Sequence, residues 1–328
     1  MSYTPGREER PEKKTKLLHF VPESPEEAFL RAMEDDASKN GPTVSSRLQM
    51  ASPPVSNRYQ AGVKPFAGFE NHGQSCFIAA AVTIVREMER VCGDLEDEGK
   101  NPWAAKILSA VRSSESAGLP VDTTKLHQLL VARFPFGLQA DAIEFLEVLL
   151  SLAFGGTMCP ALHSVTTNTI SCMVPLCATV VQQTVPATFM RVHIPKVDRV
   201  SIADLMEEAM THTEVVVWNC SMCGAKTGLS VDTLGDPPRY LIVHLVQDAR
   251  GVGHRTPVHV AGVLRVRGVL YALRVKVYFV GETPVEGHYI TSTLRGGVEW
   301  LQNDSDVKEM PVNFAFEDLV VAAMFEVA

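Results

Sequence analysis

One cysteine of this chain stands where a thiol could serve as a nucleophile. Gly68-Phe69-Glu70-Asn71-His72-Gly73-Gln74-Ser75-Cys76 is a polar, glycine-bearing loop running straight into an apolar stretch, Cys76 to Val91, that reads as a largely buried helix. Cys76 thus falls at a helix N-terminus, where free N–H groups and the macrodipole favour a thiolate. A structural thiol packed at a helix start would look the same. Asn71, five residues earlier, could swing its side-chain amide toward the same point and donate to an oxyanion. A thiolate also needs an imidazole, brought close by the fold rather than by sequence. Of the ten histidines, His288 is distinguished by its setting: Gly287-His288-Tyr289 follows Pro284, Val285 and Glu286 and opens a strand-like segment. A glycine before the histidine lets another backbone approach closely, as a substrate chain would. Sixteen residues on, Asp304 in Trp300-Leu301-Gln302-Asn303-Asp304-Ser305-Asp306-Val307 could accept from the imidazole and fix its tautomer. The plainer alternative is an ordinary strand histidine and a turn at Asp304–Asp306. Cys220-Ser221-Met222-Cys223 has metal-ligand spacing, and no βαβ pattern surrounds it to suggest a redox motif.

The elements that must position these residues fall in two blocks. Helix candidates at 76–91, 102–113, 123–133 and 139–153 come first. Val- and Thr-rich strand candidates follow at 162–171, 178–184 and 187–194, then a short helix from Ser201 to Met210. Later strands are expected at 214–218, 228–233, 239–246, 257–266, 269–280 and 287–293. Helices first and strands later predict an α+β protein with its site between two lobes. Residues 1–61 differ: charge of both signs, Pro, Ser and Asn, one short helical candidate at Pro25–Met33, and a Ser/Pro stretch at 52–57. They read as a flexible tail and linker on which a partner could dock, or as a solvated extension.

Composition narrows the setting. With 328 residues, 46% hydrophobic and 21% charged, whole-chain disorder is excluded. No apolar run approaches a membrane span, and the charged first residues lack the apolar core of a secretory signal. Seven cysteines, an odd number, do not suggest a disulfide framework, so a reducing, cytoplasmic (or nuclear) setting is expected. A net charge of −8 argues against nucleic acid and suits a basic partner. Neither nucleic acid nor membrane is expected as a partner.

In order along the chain, these segments resemble the ubiquitin-specific protease family of cysteine deubiquitinases, over roughly residues 62–328. The family's G-L-x-N-x-G-N-T-C-Y box appears as Gly68 through Phe77. Its Q-Q-D-A-x-E-F motif appears as Gln139-Ala140-Asp141-Ala142-Ile143-Glu144-Phe145. A C-x-x-C followed by a P-x-x-L-hydrophobic strand appears as Cys220–Cys223 and Pro238-Arg239-Tyr240-Leu241-Ile242-Val243-His244-Leu245. G-H-Y, then W-x-x-x-D/N-D-S-x-V, appears as Gly287-His288-Tyr289 and Trp300 to Val307, and Phe316 to Phe325 is similar to the family's closing segment. Five short motifs in the right order are far more specific than any one of them.

The resemblance implies a papain-like α+β fold with a thumb (about 62–150) and a palm and fingers (about 155–328). It implies a thiol-dependent hydrolase acting after the terminal glycine of ubiquitin through an acyl-enzyme, with Cys76 as nucleophile, His288 as base, Asp304 as third triad member and Asn71 in the oxyanion hole. Gln139, Asp141, Glu144, Gly287 and Tyr289 match substrate-contacting positions, the two carboxylates suiting a basic tail. No cofactor is implied for catalysis. A structural zinc is implied on Cys172, Cys177, Cys220 and Cys223, with Cys159 and His163 as other contributors and a metal-free fingers region as the alternative. Departures include Gln74-Ser75 for Asn-Thr, Ala79 for a polar residue, Ala140 for the second Gln, Gln247-Asp248 for Arg-Phe, and Ser305 for the usual Asp, whose auxiliary role is then absent or passes to Asp306. A same-fold protease for another ubiquitin-like modifier or a polyprotein, and a catalytically weak ubiquitin-binding scaffold, are the alternatives.

Overall fold

A computed structural model of the chain describes residues 65–97, 101–115, 118–211, 213–246, 255–283, 286–311 and 317–328. The tail at 1–61, its helical candidate, Pro284-Val285, Gln247-Asp248 and Phe316 lie outside the described residues. None of the described helices is long and apolar enough to cross a membrane.

The helical block comes first. Helix α1 spans Cys76–Arg86, and all eleven of its residues are buried. The single helix expected over 76–91 breaks at Glu87–Met88 and resumes as α2 (Glu89–Asp97). Helices α3 (Pro102–Glu115), α4 (Thr124–Leu130) and α5 (Ala142–Ala153) follow. Helix α1 can be apolar all round because it is enclosed by helices on one side and by the sheet on the other. Phe77, in its first turn, packs edge-on against Phe145 of α5 at 5.2 Å and His127 of α4 at 5.7 Å, which fixes the end that carries Cys76.

The strands form two principal sheets. A four-stranded antiparallel sheet has the order β2-β1-β6-β5, from β1 (Ser164–Cys172), β2 (Val180–Ala187), β5 (Thr213–Val217) and β6 (Thr227–Leu234). The larger sheet runs β13-β12-β11-β10-β14-β7-β3, with β9 (Val263–Val266) also paired to β10. Its members are β3 (Met190–His193), β7 (Tyr240–Val246), β10 (Val269–Thr283), β11 (Glu286–Arg295), β12 (Val298–Asn303), β13 (Asp306–Glu309) and β14 (Val320–Val327). A short β4 (Val200–Ser201) pairs with β8 (Val258–His259), and α6 (Ile202–Thr211) lies between β4 and β5.

One hydrophobic core joins the helices to the large sheet. Tyr240, Ile242, Val275, Val277, Phe279 and Met324 from the strands pack with the buried faces of α1, α3 and α5. The α+β architecture is therefore as the helices-then-strands order implies. Four strands, the two-residue β4 and β12, β13 and β14, are additional to those the sequence signals.

Candidate active site and cysteine cluster

Cys76 begins α1 at the seam between the helices and the large sheet and is almost fully buried. The loop before it is built on Asn71, whose Oδ1 accepts from Gly73 N (3.1 Å), Ser75 N (3.3 Å) and Ser75 Oγ (3.2 Å). Gly73 and Gln74 both adopt positive φ (82° and 56°), so the chain turns sharply before the helix. The loop is pinned on two sides. Glu70 N donates to Val121 O and Val121 N to Gly68 O, while Phe69 N donates to Asp304 O at 2.9 Å. A Cβ on Gly68 would fall 2.3 Å from Asp304 O, so only glycine allows the loop to lie against the 304–305 turn.

His288 lies on β11, paired to β10 opposite Val280. Its Nε2 donates to Asn303 Oδ1 at 2.6 Å, while the Asp304 carboxylate stands farther off, at 3.7 Å. The orienting hydrogen bond therefore comes from Asn303, at the end of β12, and not from Asp304. Asp304, in a left-handed conformation at φ 49°, turns its carboxylate to accept from Asn71 Nδ2 at 2.9 Å. The register explains the difference. Counted back from Val307, Asn303-Asp304-Ser305-Asp306-Val307 reads D/N-D-S-x-V without a gap, whereas counting forward from Trp300 shifts the first position to Asp304. Ser305 then holds the motif's own Ser position.

With Nε2 committed to Asn303, the other imidazole nitrogen is left for the thiol. Burial alone would lower the His288 pKa; the hydrogen bond and charge of Cys76, then the charge of Asp304 and the Asn303 amide, overcome it and raise the pKa to about 9. At neutral pH the imidazole is therefore held protonated beside the Cys76 sulfur. Such a pair can attack a carbonyl through sulfur and protonate a leaving nitrogen.

Gln139 reaches the same thiol. Its Nε2 and Oε1 lie 3.6 and 3.7 Å from Cys76 Sγ. Asp141 caps α5, accepting from Ile143 N (2.7 Å) and Glu144 N (2.9 Å), and faces His244 Nε2 at 3.5 Å. Burial would raise its carboxyl, but His244 and the two N–H groups hold it below the ordinary range. Capping explains why α5 starts at Ala142 rather than at 139. Glu144 is exposed and pairs with Arg133 at 2.8 Å. Tyr289 is buried against Phe279 at 4.8 Å, and burial pushes its phenol far above the usual value. At Gly287 the space a Cβ needs is filled by the Phe279 ring, 2.3 Å away, so this glycine answers to strand packing.

Behind the site, a polar network ties α1 to β12. Gln302 Oε1 accepts from Thr83 Oγ1 and Arg86 Nη1, both at 3.3 Å. Glu87 accepts from Arg86 Nε at 2.8 Å and from Arg295 Nη2 at 2.8 Å, and both guanidinium groups face the Phe66 ring. Burial lowers the Arg86 pKa to about 10 against the charge of Glu87. The helix that bears Cys76 and the strand that bears Asn303 are thereby locked together. Sequence reading missed these residues, because a buried Gln or Arg is legible only once its partner is known.

The second cluster lies on the four-stranded sheet. β1 ends at Cys172, which pairs in register with Gly228, so the β1–β2 and β5–β6 connections meet at one tip. There Cys172, Cys177, Cys220 and Cys223 bring their sulfurs within 4.8 Å of one another. Cys172 to Cys223 is 3.5 Å and Cys177 to Cys220 is 3.7 Å. Four thiolates bound at about 2.3 Å around a tetrahedral ion would be about 3.8 Å apart, so the sulfurs suit a metal. A turn closes the second pair: Gly224 N donates to Cys220 O at 2.9 Å, with Gly224 at φ 71°. The Cys223 N–H and the Thr179 hydroxyl lower the Cys220 thiol to about 6, which favours a metal-binding thiolate. Cys159 is not in this cluster; it is buried in the main core, and burial raises it to about 11.

These observations define an α+β protein with a buried thiol beside a half-buried imidazole at the seam of its helices and sheet and a four-cysteine tip on a second sheet. Neither a family profile nor a curated protein matches the sequence. Solved structures do match. A chain of the yeast SAGA DUB module carrying a point mutant of Sgf73 aligns with a TM-score of 0.66 and 14% identity, over 85% of this chain and 71% of that one. A chain of the SAGA DUB module formed by a Ubp8 variant with Sgf11, Sus1 and Sgf73, bound to monoubiquitin, aligns at 0.64 and 14% identity, over 92% and 74%. The chain thus has a fold like that of ubiquitin-specific proteases.

Proposed function

We propose that the chain is a thiol-dependent deubiquitinase that cleaves the bond following the C-terminal glycine of ubiquitin. The observation that carries the proposal is the convergence of Cys76, His288 and Asn303, from three separate segments, on one buried seam of a USP-like fold. Cys76 is the nucleophile. His288 holds the proton that goes to the leaving amine and later takes one from the attacking water. Asn303 orients the imidazole, and Asp304 adds charge beside it while holding Asn71.

The remaining parts fit this reading. The helical block serves as thumb, the large sheet as palm and the four-stranded sheet as fingers, with a structural zinc on Cys172, Cys177, Cys220 and Cys223. The zinc closes the tip and takes no part in the chemistry. A basic substrate tail would meet Asp141 and Glu144. Glu144 must first release Arg133, and an exposed pair of this kind is worth only about 0.2–1 kcal/mol, so a substrate guanidinium can replace it readily.

The test mixes the protein with ubiquitin bearing a thiol-reactive electrophile at its C-terminus and reads intact mass. An adduct that forms on the wild type and is absent from Cys76→Ala is expected. No adduct from a folded protein at saturating probe would defeat the ubiquitin assignment.

A further inference from the structure

We infer that Gln139 is a catalytic residue whose side-chain N–H donates to the oxyanion formed when Cys76 attacks the substrate carbonyl. This rests on the hydrolase reading above and deepens it, since the sequence motif assigns Gln139 to holding substrate and Asn71 to the oxyanion.

Three observations carry it. First, Asn71 is engaged on both ends of its amide. Its oxygen holds the loop through Gly73 and Ser75, and its nitrogen donates to the Asp304 carboxylate at 2.9 Å. Leaving a carboxylate for a transient oxyanion would cost much of what the new bond gives. Second, the Gln139 amide sits on the reacting sulfur, with both ends nearly equidistant at 3.6 and 3.7 Å. Among the described residues these are the hydrogen bonds its amide makes, so turning about its last bond presents the N–H without disrupting anything else. Third, its backbone is held two residues from the capped start of α5, where Asp141 is fixed by two helix N–H groups and faced by His244. A donor so placed needs little reorganisation when charge develops.

In the step itself, a sulfur electron pair forms the S–C bond and the carbonyl π pair moves to oxygen. That oxygen is two bonds from Sγ, and a donor resting 3.6 Å from the sulfur can reach it at ordinary hydrogen-bond length. As the C=O bond re-forms, the C–N bond breaks and the His288 proton passes to the leaving nitrogen. Water then attacks the thioester, giving its proton to His288, and the same oxyanion forms again before thiolate is expelled. Gln139 would serve both steps.

The experiment measures kcat and KM for a ubiquitin C-terminal fluorogenic amide with the wild type, Gln139→Ala and the similarly sized but uncharged Gln139→Met, alongside alkylation of Cys76 by iodoacetamide. Expected is a fall in kcat of about 10²–10³-fold in both variants. KM should stay within about twofold and alkylation near the wild-type rate. A raised KM with unchanged kcat would make Gln139 a substrate clamp and overturn the inference. A parallel fall in alkylation would place its effect on the thiolate and overturn it as well. If the wild type alkylates normally but does not turn over the ubiquitin amide, the deubiquitinase reading itself fails, and the Gln139 role falls with it.

Discussion

Cys76 and the four cysteines at 172, 177, 220 and 223 are the same side chain in opposite surroundings. Cys76 is buried, lies outside the cysteine cluster, and faces an imidazole and two carboxamides, one directly and one through His288. The other four sit at the tip of a sheet with Cys223 exposed, and their nearest reactive neighbours are one another. Cys92 and Cys159 make a third case: burial without a base raises them to about 12 and 11, leaving inert thiols. Neither exposure nor burial sorts these cysteines by role. The neighbouring donors and acceptors do, and those come from different stretches of chain in each case.

The contrast can be broken most sharply at the imidazole. His288→Ala should lower the rate of Cys76 adduct formation with the ubiquitin electrophile by about 10³-fold while leaving one metal ion per chain by elemental analysis. Cys220→Ser should do the reverse: metal is lost and the Tm falls by more than about 5 °C, but Cys76 still alkylates in the folded protein. If either variant disabled both regions, the two would not be independent.

Within the seam, the difference between neighbours is finer. Asn303→Ala should reduce kcat by on the order of 100-fold, by freeing the imidazole, and Asp304→Ala by about tenfold, because it acts at longer range. A larger loss at Asp304 would return the orienting role to it. Titration sharpens the picture further. The His288 pKa is raised, so the stability the imidazolium lends is complete below its unfolded value of about 6.5 and disappears as pH rises through about 9. kcat should fall on that alkaline limb. In Cys76→Ala the burial that lowers the pKa remains while its chief opponent is gone, so the imidazole NMR titration should move well below 9. The smallest effect is expected at Arg133→Ala, which removes an exposed pair and should change unfolding free energy by under about 1 kcal/mol.

How much of this was legible beforehand depended on how local the cause was. The buried helix after Cys76, the capped helix after Asp141 and the paired cysteines each carry their signal within a few residues. β12 does not. Trp300, Leu301 and Gln302 are buried in succession, which hides the alternation of a strand, and Gln302 is tolerated there only because Thr83 and Arg86 meet it. β14 runs Val320-Val321-Ala322-Ala323-Met324-Phe325, a composition that suits a helix, but it lies between β10 and β7 and packs on both faces. Asn303 was hidden by a one-residue choice of register, which only the hydrogen bond to His288 resolves. At Gly287 the structure adds a packing reason for glycine, the Phe279 ring, that the sequence alone does not show.

The backbone bond from Phe69 to Asp304 and the side-chain bond from Asn71, which spans 233 residues, have a consequence for the order of assembly. During synthesis Cys76 emerges early and His288 late. The strand latest in chain order, β14, must slot between two strands already made before the large sheet can close. Contacts of such long sequence separation form slowly. Cys76 and His288, 212 residues apart in the chain, are therefore brought together only as the large sheet forms around β10 and β11.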